Sequence, residues 1–393
     1  MAGTPRYGPH ETDLDCPVPT PGRRSPRCRI SGLLHLLVVL GVLLSACDAT
    51  RSEPERPRAP VCAAGQIDGE LVLMSRAEQI SPKAIEEFER RYGIDVVGLE
   101  YENEDDLLAR VTAGADDFDV LVVPDYLAET LRRGDTLYPL DPIALPGRVN
   151  LDPMFAVPSV DSEPFYSIPL VWGTVGMGVN LNMVGKDVDP SWGLLFDTYQ
   201  AWTFAGRMSL LEEGRQVMAA AMLYLGHSPN LDDQRRVAEA AALVADARAF
   251  LRGFDSEDYA SDLVEGGLDV AQGRSDLFLA ALPPNSGDFR YIIPREGAVV
   301  WLDMLVVPIT SRHPCTAHSF IDFVLEPRIG AEVANYTRVA TPNLMALEHV
   351  LPELVFNPLI YPPSNVRSRL EMLDYSEDLN RLYGEEFIYS DPS

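Results

Sequence analysis

Lysine is almost missing from this 393-residue chain. Only Lys83 and Lys186 occur, so nearly all of the 32 basic residues are arginine, set against 59 Asp and Glu for a formal charge of −27. A surface this poor in positive charge repels phosphate backbones, which excludes nucleic acid as a main partner. Histidine is also scarce. The six present form no His-x-x-x-His or His-Glu-x-x-His pair, so a metallohydrolase lacks its ligands and no metal is expected. His313 and His318 flank a predicted loop-to-helix junction and read as surface residues. No Gly-x-Ser-x-Gly elbow and no phosphate-binding loop occurs, so no catalytic constellation and no cofactor site is expected. No apolar run reaches the roughly 20 residues that a membrane-spanning helix needs.

What is present is the composition of a folded protein, 46% hydrophobic and 23% charged, with length for two or three domains. The charge is uneven: residues 1–46 hold five Arg and three Asp/Glu, a net of +2 within the total of −27. Arg23, Arg24, Arg27 and Arg29 precede an apolar run from Ile30 to Leu44, the layout of a secretory signal. The following Leu44-Ser-Ala-Cys47 resembles the lipobox of bacterial lipoproteins. That resemblance implies cleavage after residue 46, lipidation at Cys47 and a periplasmic, extracytoplasmic location on the outer face of the cytoplasmic membrane. An uncleaved anchor helix is the alternative. Residues 47–65 are rich in Pro, Arg and Glu without an apolar period and read as a flexible tether. Of the five cysteines, Cys16 and Cys28 leave with the leader and Cys47 takes lipid. Cys62 and Cys315 remain, and an oxidising compartment permits a disulfide between them.

From Glu70 the pattern is regular. A buried strand at 70–74 leads to a helix capped by Ser81, opened by Pro82 and stopped at Gly93. A strand at 94–97, a helix capped by Asn103 and ending at Gly114, a strand at 118–123 and a helix at 125–133 follow. This β-α-β-α-β order predicts a parallel, helix-covered sheet. Further strands are predicted at 167–170, 175–179, 269–271, 291–293 and 299–307, and helices at 214–225, 232–252, 317–325 and 329–336. So much material exceeds one doubly wound sheet, which predicts two α/β lobes.

Several segments, in order along the chain, resemble the spermidine/putrescine-binding proteins of polyamine ABC transporters, within the bacterial extracellular solute-binding proteins. The most specific is Tyr166-Ser-Ile-Pro-Leu-Val-Trp-Gly-Thr-Val-Gly-Met-Gly-Val-Asn180. Phe118-Asp-Val-Leu-Val-Val-Pro124, Phe254-Asp-Ser256, Pro294-Arg-Glu-Gly297, Trp301-Leu-Asp303 and Ala340-Thr-Pro-Asn-Leu344 accompany it. The resemblance implies a two-lobed periplasmic-binding-protein fold, two α/β domains joined by crossing hinge strands with a ligand cleft between them. Lobe 1 would comprise 66–175 plus 304–345, and lobe 2 176–303 plus 346–393. The glycines from Gly173 to Gly178 are read as a crossing segment whose dihedrals change on closure. The implied partners are a small-molecule amine, an ABC permease and, through the lipid, the membrane; the protein is expected to be a monomer.

A polyamine requires carboxylates for its ammonium groups and aromatic faces for its methylenes. The resemblance assigns Trp301 and Asp303 as the stacking and ion-pairing residues, and their i, i+2 spacing puts both on one side of a strand. Glu213 stands where the family has an aspartate and Gln216 where it has a second carboxylate. Ser256 matches a supporting hydroxyl, and Tyr126 an aromatic after the Val-Pro turn. Other positions depart: family aromatics fall at Arg76, Gln79, Gln272 and Val339. A cationic amine is the leading ligand. A zwitterionic or anionic ligand on the same scaffold, or a non-transporting scaffold or sensor lipoprotein, are the alternatives.

Overall fold

The computed structural model describes residues 57–115, 118–156, 165–283 and 287–389. The leader, the lipidation position Cys47 and the first part of the tether lie outside the described residues. Among the described residues no helix is long and apolar enough to cross a membrane.

Among the described residues ten strands form one sheet: β1 Leu71–Ser75, β2 Val96–Glu100, β3 Val120–Pro124, β4 Ser167–Asn180, β5 Met208–Leu210, β6 Gly253–Phe254, β7 Val270–Arg274, β8 Phe289–Ile292, β9 Ala298–Val306 and β10 Leu370–Met372. The main path runs β2-β1-β3-β9-β4-β7-β5-β6, with β10 on β9 and β8 on β4. Two parallel trios occupy its ends. β1 pairs in parallel with β2 and β3, and β5 in parallel with β6 and β7. Between them run the two longest strands, β4 and β9, paired antiparallel from Ser167↔Val306 to Val175↔Val299. This is a mixed α/β fold with two lobes joined by crossing strands, as the residue pattern and resemblance led us to expect.

The local reasons hold at several helix ends. Pro82–Tyr92 begins with proline, whose missing N–H costs nothing in the first turn, and Gly93 ends it in the left-handed region at φ 68°. Ser81 takes the capping backbone position, but its hydroxyl donates to Glu332 at 2.9 Å instead of capping the helix. Asn103 does cap Glu104–Thr112, accepting from the Asp106 N–H at 3.0 Å. The polar helix is Gln234–Arg248, shorter than the predicted 232–252, because Gly253 and Phe254 join the sheet beside β5.

β4 is one strand where two were predicted. Val171 to Thr174 bridge the halves, and the ladder's only disturbance is a register shift between Pro169 and Val171, where proline has no N–H to donate. Its glycines have a role other than hinge freedom. A Cβ on Gly173 would lie 2.5 Å from Trp301 Cζ2, and one on Gly178 2.2 Å from Phe278. These glycines make room for rings packed against the strand.

Cys62 and Cys315 form a disulfide. Nearby, His318 is fully buried, which corrects its reading as a surface residue. Its Nε2 accepts the Asp141 N–H at 3.1 Å, and Nδ1 donates to the Pro314 carbonyl at 2.6 Å. Burial lowers its pKa, so the neutral ring is the native form. The unfolded chain therefore binds the extra proton. The contribution of His318 to stability is expected to be full above pH ~6.5 and to fall below it, with a limiting slope of about 1.4 kcal/mol per pH unit. Urea midpoints at pH 7 and pH 5 check this: His318→Gln should flatten the difference, and an unchanged pH dependence would refute the assignment.

Candidate functional site

In parallel α/β sheets side chains beyond the carboxyl ends of the strands converge on a common crevice. Both trios follow that rule here. Arg76 to Gln79 leave β1, Glu102 to Asp105 follow β2, and Asp125 and Tyr126 follow β3. Glu212 and Glu213 follow β5, Ser256 follows β6, and Arg274 ends β7. Together with Trp301 and Asp303 of β9 they line two adjoining cavities of about 550 and 380 Å³.

Asp303 pairs in register with Pro124 on one side and Val171 on the other, and it is only 4% exposed. Its Oδ2 accepts from Gln79 Nε2 at 2.9 Å, and the Gln79 carbonyl oxygen takes the Arg76 N–H at 2.8 Å. That second bond fixes the amide so that its NH2 faces the carboxylate. Asp303 Oδ1 is buried and has no partner among the described residues. Burial raises the Asp303 pKa, and the Arg274 guanidinium opposes the rise.

Trp301 is also buried. The Arg274 guanidinium lies over its ring, 3.7 Å from the centroid, and pairs with Asp276 through two bonds of 3.1 and 2.9 Å. Arg76 forms an ion pair with Glu104. Neither arginine stands uncompensated.

On the far side, Ser256 Oγ donates to Glu213 Oε2 at 2.7 Å and accepts the Glu212 N–H at 2.9 Å. Gln216 lines the larger cavity, with its Oε1 buried and without a partner among the described residues. Tyr126 lines it too, tilted against Tyr375 at 6.3 Å. Next to it Asp125 receives the Tyr126 N–H at 2.9 Å and faces the Tyr375 hydroxyl at 3.3 Å; burial pushes its pKa up to about 8.

Of the positions expected in the cleft, Arg76, Gln79, Tyr126, Glu213, Gln216, Ser256, Trp301 and Asp303 line one or both cavities, as does Val339. Gln272 does not. It is fully buried behind the cavity, accepting the Leu211 N–H at 3.4 Å and donating to the Gln216 carbonyl at 3.1 Å. The cleft-lining residue of that strand is Arg274, two positions on, which the sequence reading missed because it ended the strand at Ala271. An arginine closing a parallel strand was the available signal. The larger cavity is lined by eight carboxyl groups (Glu102, Glu104, Asp105, Asp125, Glu212, Glu213, Glu257, Asp276) against the two guanidiniums of Arg76 and Arg274. No group of three or more possible ligands is placed to hold a metal ion among the described residues. The acidic lining suits a cation.

Residues 83–354 match the family model of the bacterial extracellular solute-binding proteins. The chain belongs to that family. A putrescine/cadaverine-binding protein of Pseudomonas aeruginosa is 29% identical over 352 residues, covering 88% of this chain and 94% of its own. A putrescine-binding periplasmic protein of Escherichia coli is 30% identical over 318 residues, covering 76% and 85%. Among solved structures, a spermidine/putrescine ABC transporter substrate-binding protein of Streptococcus pneumoniae superposes with TM-score 0.74 at 23% identity, covering 82% and 98%. That last likeness concerns the fold. The family is one of solute-binding proteins, and the cleft offers ion-pairing and stacking groups.

Proposed function

We propose that this solute-binding protein is the lipid-anchored receptor of an ABC importer and captures a polyamine-class amine between its lobes. The observation that carries the reading is the buried carboxylate of Asp303, with one oxygen fixed by Gln79 and the other unpartnered, beside a cavity with a large excess of acidic side chains. An ammonium group donates to such an oxygen with a charge-assisted bond of roughly 1.5–3 kcal/mol. The diamine-binding relatives support the same class. Arg76 and Arg274 give little support to an anionic ligand, because Glu104 and Asp276 already neutralise them. In this reading the lobes divide as 66–175 plus 304–345 and 176–303 plus 346–393. β4 and β9 then act as the hinge, Cys47 holds the protein at the membrane, and a permease receives the amine.

Thermal melting of the purified full chain with putrescine, cadaverine and spermidine tests the ligand class. At a ligand concentration of about 100 Kd, binding to the native state contributes about 2.7 kcal/mol, a clear rise in Tm. A rise with 4-aminobutyrate or succinate and none with the amines would overturn it.

A further inference from the structure

The two cavities share Arg76, Arg274, Asp276, Leu277 and Trp301, so these residues form the wall between them. At the centre of that wall is the guanidinium of Arg274, which makes the contacts an amine ligand would make. It lies on the indole face of Trp301, it pairs with a carboxylate, and Asp303 is near enough to act on it electrostatically. We propose that Arg274 is a built-in cation: it occupies the tryptophan–carboxylate subsite, partitions the cleft into two compartments, and so restricts the receptor to short amines of low charge. The inference rests on the amine reading above and specifies its substrate.

The physical argument has two parts. First, the ring face that would take a ligand's methylenes or ammonium is already covered, and Asp276 is already neutralised. The remaining anchors are then Asp303 Oδ1 on the smaller side and Glu213 with its neighbours on the larger side. Second, a long triamine spanning both compartments would place its inner ammonium beside the guanidinium. Like charges at a few ångströms in a partly buried site repel, and the Asp276 pair reduces that repulsion without taking the cation off the ring. A short diamine can stay within one compartment and avoid that contact.

Calorimetric titration of the full chain with putrescine and spermidine tests this in the wild type, Arg274→Gln and Arg274→Lys. Glutamine keeps a hydrogen bond to Asp276 while removing the charge. It is expected to raise spermidine affinity about tenfold or more, and by a larger factor than it raises putrescine affinity. Lysine retains the charge and is expected to keep the wild-type preference within about threefold. If the Gln variant is poorly folded, Arg274→Met serves instead, with the same gain expected. Spermidine affinity that is unchanged or weakened without the charge, or a Lys variant that behaves like Gln, overturns the proposal while the amine reading stands. If no variant and no wild-type protein binds either amine, the amine reading fails and this inference fails with it.

Discussion

Replacing Cys62 and Cys315 together by serine is expected to lower the stability of the folded body by about 2–4 kcal/mol. The two cysteines are 253 residues apart, so their bond removes a large amount of freedom from the unfolded chain. Chain entropy alone gives roughly 5 kcal/mol for a loop of that size, an upper figure because measured effects follow loop length only weakly. The surroundings argue for the lower range. Asp68 accepts the N–H groups of Cys315 and Thr316 at 3.1 and 2.9 Å, so the start of helix Pro314–Val324 stays tied to the chain ahead of β1 without the bond. Tm should fall by several degrees, and amides of residues 61–70 should lose hydrogen-exchange protection. Scanning calorimetry with and without reductant checks the first part. Equal Tm for oxidised wild type and the double serine variant would show that the bond is stabilising nothing.

How far the sequence foretold the fold depends on where each element's determinants lie. The helix Pro82–Tyr92 and the helix Glu104–Thr112 carry their own signals, a proline, a capping asparagine and a terminating glycine, so their existence was readable locally. Helix Glu377–Tyr389 carries acidic residues in its first turn and no terminating glycine or opening proline. Its apolar residues Leu379, Leu382 and Tyr383 are buried in the same core cluster as helices Gly214–Tyr224 and Gln234–Arg248, and only that packing identifies it. The single long β4 is another tertiary outcome. Its glycines resemble a break in sequence, yet they are filled by Trp301, Tyr291 and Phe278 from other segments.

The cleft shows the same division. Trp301 and Asp303 are assigned by the family resemblance, and their spacing puts both on one side of a strand. Arg274 could not be understood from its strand, because a guanidinium in a buried strand looks like an error until Asp276 and the Trp301 ring stand beside it. Asp125 is similar. Its carboxyl starts a helix, and Tyr375 from the far end of the chain covers it. Family positions are readable along the chain; compensation between residues at different positions is not.

Asp303→Asn is expected to weaken amine binding by about 2–5 kcal/mol, roughly 30-fold to several-thousand-fold, while stabilising the free protein. The two effects have one cause. The substitution preserves shape, and the asparagine oxygen can still accept from Gln79 Nε2, as Oδ2 now does. The remaining position, Oδ1 in the native protein, becomes an NH2 that points a donor at an ammonium donor. Binding therefore loses the charge and meets a repulsive contact. In the free protein the same carboxylate is buried with one oxygen unpartnered, and its pKa is raised. A carboxyl raised in the folded state binds more protons there than in the unfolded chain. It thus lowers stability as pH climbs from about 4 through its folded pKa. Asparagine removes that dependence, so the ligand-free variant should melt at or above the wild type at pH 7.5 and show less decline with pH. Melting curves with and without putrescine at pH 5.5 and 7.5 measure both effects. A variant with lower ligand-free Tm and unaltered putrescine response would assign Asp303 to the scaffold and remove it from the binding site.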